Sequence, residues 1–329
     1  MNKKVLLIGG AGYVGSELTK LLLLKNYEVT VYDLFIYGDV FNPYKNNNNL
    51  KVIKGDIRDL SYLDKVINNF HYIIHLACIS NDPSFDLDPD LGKSVNFDSF
   101  EDLVKISKNN GVKRFIYASS SSVYGIKSQE NVDESCSLEP ITDYSKYKAL
   151  CEEILLKYND KNFISTIVRP ATVCGYSERQ RLDLVVNILT NHAYHNKNIS
   201  VFGGNQLRPN IHIKDMCRAY LEILNADQDL INGQIFNVGF ENHSVRYLAN
   251  LVRDCIDNNI KIKELPSDDD RSYHISSRKI QNIIGFENKY SVKDAIMDLK
   301  YAFSNNLLTN TFANELYFNI KRMNSINLK

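Results

Sequence analysis

Tyr144-Ser145-Lys146-Tyr147-Lys148 sets a phenol and an ammonium four residues apart, one turn of a helix and on one face. A cation beside a phenol favours the phenolate, so the pair can take a proton from a hydroxyl and return it. The same pattern recurs at Tyr317 and Lys321, and with 20 tyrosines about one or two such pairs arise by accident. What selects Tyr144 is the run Ser119-Ser120-Ser121-Ser122-Val123-Tyr124-Gly125. It ends the apolar segment Arg114–Ser119 and so brings hydroxyls to the carboxyl end of an expected strand.

A second group is built for phosphate. Gly9-Gly10-Ala11-Gly12-Tyr13-Val14-Gly15 follows the first expected strand and opens the first expected helix. Glycines at 9, 12 and 15 let the backbone turn tightly and bring amides against a pyrophosphate at the helix amino terminus. Asp33 stands eighteen residues past Gly15, at the end of the second expected strand. Taken alone it reads equally as a helix cap or a loop charge; after the glycine loop it reads as the acceptor for ribose hydroxyls of a dinucleotide. A carboxylate there repels a 2′-phosphate, and no arginine follows until Arg58, which favours NAD over NADP.

The elements that must position these residues alternate. Val5–Ile8, Glu28–Tyr32, Leu50–Lys54, Tyr72–Leu76, Arg114–Ser119 and Ser165–Arg169 read as strands, and Gly15–Leu24, Asp59–Asn68, Phe97–Asn109 and Tyr144–Leu156 as helices. Near-continuous apolar strands separated by helices predict an α/β fold: a doubly wound parallel sheet of the Rossmann kind, with ligands at the carboxyl ends of its strands. Residues 1–170 form the expected dinucleotide-binding domain. Residues 171–329 read as a smaller, mainly substrate-binding region with helices at Asp183–Tyr194, Asp215–Asn225, Val245–Asn258 and Val292–Ser304, returning a strand near 234–238 to the first sheet. The tail after Leu316 reads as peripheral.

Composition narrows the class. The 329 residues carry 39 basic and 39 acidic side chains, with no basic stripe, which argues against a nucleic-acid binder. The longest apolar run, Leu21–Leu24, is far short of the ~18 residues of a membrane span. Cys78, Cys136, Cys151, Cys174, Cys217 and Cys255 are scattered without a C-x-x-C pair, as expected of reduced thiols in a cytoplasmic protein. Asp268-Asp269-Asp270 reads as a solvated loop, and His71/His75 and His192/His195 lack acidic partners, so no metal site is expected.

In order along the chain, the glycine loop 9–15, Gly55-Asp56-Ile57, His75-Leu76-Ala77, Ser119–Gly125, Tyr144–Lys148, Arg169-Pro170 and Arg208–Asp215 resemble the extended short-chain dehydrogenase/reductase superfamily, in its NAD-dependent nucleotide-sugar epimerase/dehydratase branch. The resemblance covers roughly residues 3–300. It implies Tyr144 as acid/base, Lys148 as its partner and Ser120 as the hydroxyl bonded to the reacting sugar oxygen. It implies cofactor contacts at Gly9, Gly12, Tyr13, Val14, Gly15, Asp33, Asp56, Ile57, Leu76 and Ala77, with Tyr144 and Lys148, and a structural role near the nicotinamide for Asn96. Substrate contacts fall to Ser120, Ser121, Ser122 and Thr172, and to Asn187, Arg208 and Arg271 on the diphosphate side of a nucleotide-diphosphate sugar. His212 and Asp215 are expected to brace a loop.

Two departures matter. Dehydratases of this branch carry Thr-Asp-Glu where this chain has Ser120-Ser121-Ser122, so the acid/base pair that expels water is missing. Thr172 stands where many members place asparagine, which leaves the sugar open. The expected activity is 4-epimerisation through a transient 4-keto sugar, in carbohydrate biosynthesis. A C4 reductase or oxidase is the rival, and a non-catalytic dinucleotide sensor the remote one. The resemblance also implies a homodimer through the helices Phe97–Asn109 and Tyr144–Leu156.

Overall fold

The computed structural model describes residues 3–266, 272 and 274–329. Seven strands form one parallel sheet: β1 (Lys4–Ile8), β2 (Glu28–Asp33), β3 (Leu50–Lys54), β4 (Tyr72–His75), β5 (Arg114–Ala118), β6 (Ile164–Pro170) and, later in the chain, β10 (Gln234–Val238). Their order across the sheet is β10-β6-β5-β4-β1-β2-β3. Helices cover both faces, which is why β1 is apolar without alternation: Val5, Leu6, Leu7 and Ile8 are all fully buried. This is the doubly wound α/β architecture that the alternating segments predict.

The winding reverses between β1 and β4, which pair in register from Val5↔Tyr72 to Ile8↔His75. Connections leaving the two strands diverge to opposite faces at that point and open a crevice at the carboxyl edge. β10 pairs with β6 along Gln234↔Thr166 to Val238↔Pro170, so a strand distant in sequence completes the edge.

Outside the sheet, β7 (Thr172–Cys174), β9 (Leu207–His212) and β11 (Glu241–Ser244) form a small sheet in the order β11-β9-β7, and β8 (Asn198–Phe202) pairs with β12 (Lys261–Leu265). Among the described residues no helix is long and apolar enough to cross a membrane.

Two segments differ from expectation. The helix anticipated from Phe97 begins with a wide turn, Ser94–Asp98, before the regular helix Phe100–Asn109. There the Asn96 amide leaves its own helix to bond both the N–H and the C=O of Ile79. The tail past Leu316 is not peripheral. Helix Asn319–Ser325 buries Asn319 and Met323 and lies against the crevice, held by contacts far apart in sequence that a local reading does not reveal.

Candidate active site

The glycine loop joins β1 to the helix Tyr13–Leu24 at the switch point. Gly9 has φ +82°, and a Cβ there would lie 2.3 Å from the Ala77 amide nitrogen, so the loop and the end of β4 meet at a distance only glycine permits. A Cβ on Gly15 would lie 2.5 Å from the Gly9 carbonyl oxygen, which explains the last glycine by helix–loop packing. The helix begins at Gly12 with no side-chain cap and no acidic residue in its first turn. Its amides and its positive dipole end therefore face the crevice uncompensated by protein, and a phosphate group fits there.

Asp33 ends β2 and points back at the loop. One carboxylate oxygen accepts from the Ala11 N–H at 2.9 Å and the other from the Phe35 N–H at 2.8 Å. These bonds fix its orientation and leave lone pairs for ribose hydroxyls.

Ser120, Tyr144 and Lys148 converge across the crevice from Asp33. Thr142 caps the helix Asp143–Tyr158 and Ser145 returns the bond, so Tyr144 stands in the first turn with Lys148 one turn on. Lys148 is buried and donates from Nζ to the Ala118 carbonyl at 2.7 Å, its Nζ 5.9 Å from the Tyr144 ring centre. Ser120 caps the short turn Ser121–Tyr124, and its hydroxyl lies 2.8 Å from that of Ser122.

Tyr144 is not activated by the protein alone. Burial, with the charges of Cys78 and Asp82, pushes its phenol well above the ordinary tyrosine range; the Ser120 hydrogen bond and the Arg181 charge act the other way and are outweighed. The lowering expected of Lys148 and a nicotinamide ring together is therefore opposed by burial of the phenol.

One cleft of about 500 Å³ joins these parts. Gly9, Gly12, Tyr13, Val14, Gly15, Asp33, Ile57, Leu76 and Ala77 line its cofactor half, and Ser120, Ser121, Ser122, Tyr144, Lys148, Thr172 and Arg208 the rest. Two expected residues are not brought there. The Asp56 carboxylate lies outside the lining, gripped by Arg58 at 2.6 Å; burial alone would raise its pKa, but the Arg58 bonds hold it below the usual carboxylate range. Asn187 is fully buried behind the wall: its oxygen accepts from Gly175 N–H, and its nitrogen donates to the Tyr13 hydroxyl and the Arg181 carbonyl. With every polar atom spent inside the protein, Asn187 holds the 175–181 loop and does not reach a diphosphate. Arg271 and Asp268-Asp269-Asp270 lie outside the described residues.

His212 caps the helix Ile213–Asn225, and Asp215 accepts from the Lys289 and Tyr290 amides, so both brace loops. Arg179, Arg181 and Asp183 also line the cleft, and sequence reasoning did not find them. They follow β7 on an irregular loop with no periodicity to mark which side chains face inward.

A dinucleotide cradle and a tyrosine–lysine–serine group thus share one cleft at the switch point of a doubly wound sheet. The chain belongs to the NAD dependent epimerase/dehydratase family, whose model matches residues 5–239, and it is an NAD-dependent enzyme. It is similar to the D-erythronate dehydrogenase of Haemophilus influenzae, 35% identical over 52% of this chain and 55% of that protein. The putative UDP-glucose 4-epimerase of Methanocaldococcus jannaschii is 29% identical over 69% of this chain and 75% of its own length. A solved UDP-N-acetylglucosamine 4-epimerase from Methanobrevibacter ruminantium, in complex with UDP-N-acetylmuramic acid, superposes with a TM-score of 0.83 at 25% identity, over 92% of this chain and 99% of that one.

Proposed function

We propose that this enzyme is a nucleotide-sugar 4-epimerase working through a transient 4-keto sugar. The observation that carries the reading is the serine run at the mouth of the Tyr144–Lys148 pair. Ser120, Ser121 and Ser122 line the cleft where water expulsion would need an acid and a base, and three hydroxyls without a carboxylate among them supply neither. What remains is a group suited to moving one proton at one oxygen.

NAD, when bound, supplies a reversible acceptor for the hydrogen on the sugar carbon. Tyr144 Oη takes the proton of the C4 hydroxyl and gives it back to the carbonyl oxygen. Ser120 donates a hydrogen bond to that oxygen, stabilising charge as it develops. Lys148, anchored on the Ala118 carbonyl, holds a positive charge beside the phenol. Oxidation and reduction at the same carbon balance, so no second reductant is consumed. Arg208, which lines the cleft from β9, is suited to the substrate's diphosphate through its planar fork.

A one-way oxidation is the second reading, favoured by the 35% identity to a dehydrogenase over 176 residues. One experiment separates them. The purified protein is incubated with UDP- and dTDP-hexoses, the sugars are resolved by chromatography and mass spectrometry, and absorbance at 340 nm is followed. The epimerase reading expects a C4 epimer of unchanged mass and no net NADH. Stoichiometric NADH with a product two mass units lighter sinks it in favour of the oxidase.

A further inference from the structure

Arg179 is 4% exposed and Arg181 8% exposed, yet both line the cleft, and three of their N–H-bearing nitrogens have no partner among the described residues: Arg179 Nε, Arg179 Nη1 and Arg181 Nη2. Every other polar contact of the two serves to aim them. Arg179 Nη2 donates to the Asn319 side-chain oxygen at 2.7 Å, and its guanidinium lies 3.7 Å from the Tyr37 ring centre. Arg181 Nε donates to Asp183 at 2.8 Å and Nη1 reaches the Ser80 hydroxyl at 3.3 Å. Asp183 is ion-paired to Arg181, and among the described residues no carboxylate is ion-paired to Arg179. Burial lowers the Arg179 guanidinium to about 10, so it is still charged at neutral pH. A buried cation with unmade hydrogen bonds is costly unless an anion completes it.

The position of the pair says which anion. Arg179 lies on the ring of Tyr37, four residues past Asp33, and Arg181 reaches Ser80, three residues past the Ala77 that meets the glycine loop. The pair therefore stands beside the segments that follow β2 and β4, which carry the ribose acceptor and close on the glycine loop. That is the course of the cofactor, and the diphosphate is its only double anion.

We propose that Arg179 and Arg181 clamp the diphosphate of the bound dinucleotide from the side opposite the glycine loop, and that the segment 319–329 is the strap that keeps the clamp shut. Asn319 is the buckle: it accepts from Arg179, donates to the Ser80 hydroxyl at 2.9 Å, and gives its own amide to Asp183. Arg322 donates to the Ile36 carbonyl just past β2, Met323 is buried in the core on that side, and Leu328 lines the cleft near Ile57. A cofactor enclosed in this way stays bound while it is reduced and reoxidised. The inference rests on NAD binding, not on the 4-epimerase reading.

The test is binding, not turnover. NADH, NADPH and UDP are titrated into the full chain and into Arg179→Met, Arg181→Met, Arg179→Lys and Asn319→Ala, with circular dichroism and thermal melting to check folding. Each methionine variant should weaken NADH by about 30-fold, the worth of a lost charge-assisted bond or two, and leave UDP within twofold. Arg179→Lys should recover part of the loss, because it keeps the charge without the fork. Asn319→Ala should speed NADH release about tenfold in a stopped-flow chase. NADH binding unchanged in both folded methionine variants overturns the proposal. So does a loss confined to UDP, which would assign the arginines to the substrate's diphosphate, or one confined to NADPH, which would assign them to a 2′-phosphate. A chain that binds NADH as expected but epimerises no sugar leaves the clamp intact and defeats only the proposed function.

Discussion

Glu152, two turns from Tyr144 on the same helix, is ion-paired to Arg169 on β6 with Nη2 2.5 Å from Oε2 and both side chains 3% exposed. The pair is the centre of a buried network. Ser119 donates to Glu152, Arg169 Nη1 donates to the Tyr124 hydroxyl at 2.7 Å, and that hydroxyl donates to Asn237 on β10 at 2.8 Å. Both ends of the serine run are thereby tied to the helix that carries the tyrosine and lysine.

Breaking this pair from one side should destabilise the fold more than it would at a surface. Glu152→Ala leaves the Arg169 cation buried and unpaired, at a cost of about 3–5 kcal/mol. Urea unfolding of the variant against the parent measures it. A loss under about 1 kcal/mol would mean that water reaches the network, as at exposed pairs.

Tyr144→Phe keeps the ring and its edge contact with Phe85 while deleting the proton carrier. Turnover should fall by about 10²–10⁴-fold with bound NAD unchanged. Activity within tenfold of the parent would remove Tyr144 from the chemistry and revive a sensor role.

Asp82 offers a finer probe of the same phenol. Its charge is one of the influences that raise Tyr144. Asp82→Asn removes that negative charge, so less alkali is needed to form the phenolate, and the limb of the pH–rate profile that reports Tyr144 should move to lower pH. A limb that stays put or moves up would show that another group sets it.

His75 predicts an acid-side weakness. Its ring packs against both Phe100 and Tyr117, 5.7 Å from each, and burial, with the Lys148 charge, lowers it to about 3. In the unfolded chain an imidazole titrates near 6.5. Below that pH the unfolded state takes a proton that the folded state refuses. The contribution is therefore fully present above pH ~6.5 and shrinks by about 1.4 kcal/mol per unit as pH falls toward 3. His75→Phe should lose this slope, seen as a smaller difference between urea midpoints at pH 7 and pH 5.

Asp33→Asn should narrow the preference for NADH over NADPH. The substitution removes the charge that a 2′-phosphate would face, yet keeps an oxygen for one of the two amides. The ratio of the two dissociation constants should shift by about tenfold or more toward NADPH, equivalent to ~1.4 kcal/mol. An unchanged ratio would place the discrimination elsewhere.

Much of this molecule was legible in the one-dimensional chain because the relevant physics is local. Uninterrupted apolar runs such as Val5–Ile8 mark strands covered on both faces. The glycine loop is readable because only glycine tolerates φ +82° at residue 9 and a 2.3 Å Cβ approach to Ala77. Tyr144 and Lys148 share a face by helical period, and Ser120 follows a strand end. A parallel sheet brings those ends to one edge without any further information.

What only the tertiary structure decided depends on partners far along the chain. Asn187 carries the right chemistry for a diphosphate but meets Tyr13, 174 residues away, and is consumed there. Arg179 finds Asn319 at a separation of 140 residues, so neither its burial nor its free nitrogens can be read from its neighbours Glu178 and Gln180. The tail after Leu316 has no long apolar period, and its place beside the crevice comes from single anchors at Asn319, Arg322 and Met323. The phenol of Tyr144 is likewise raised, not lowered, because burial is set by everything packed around it. Sequence patterns specify which backbone segments form and which ends they share; the closing of distant side chains onto one another specifies which of the candidates remain free to meet a ligand.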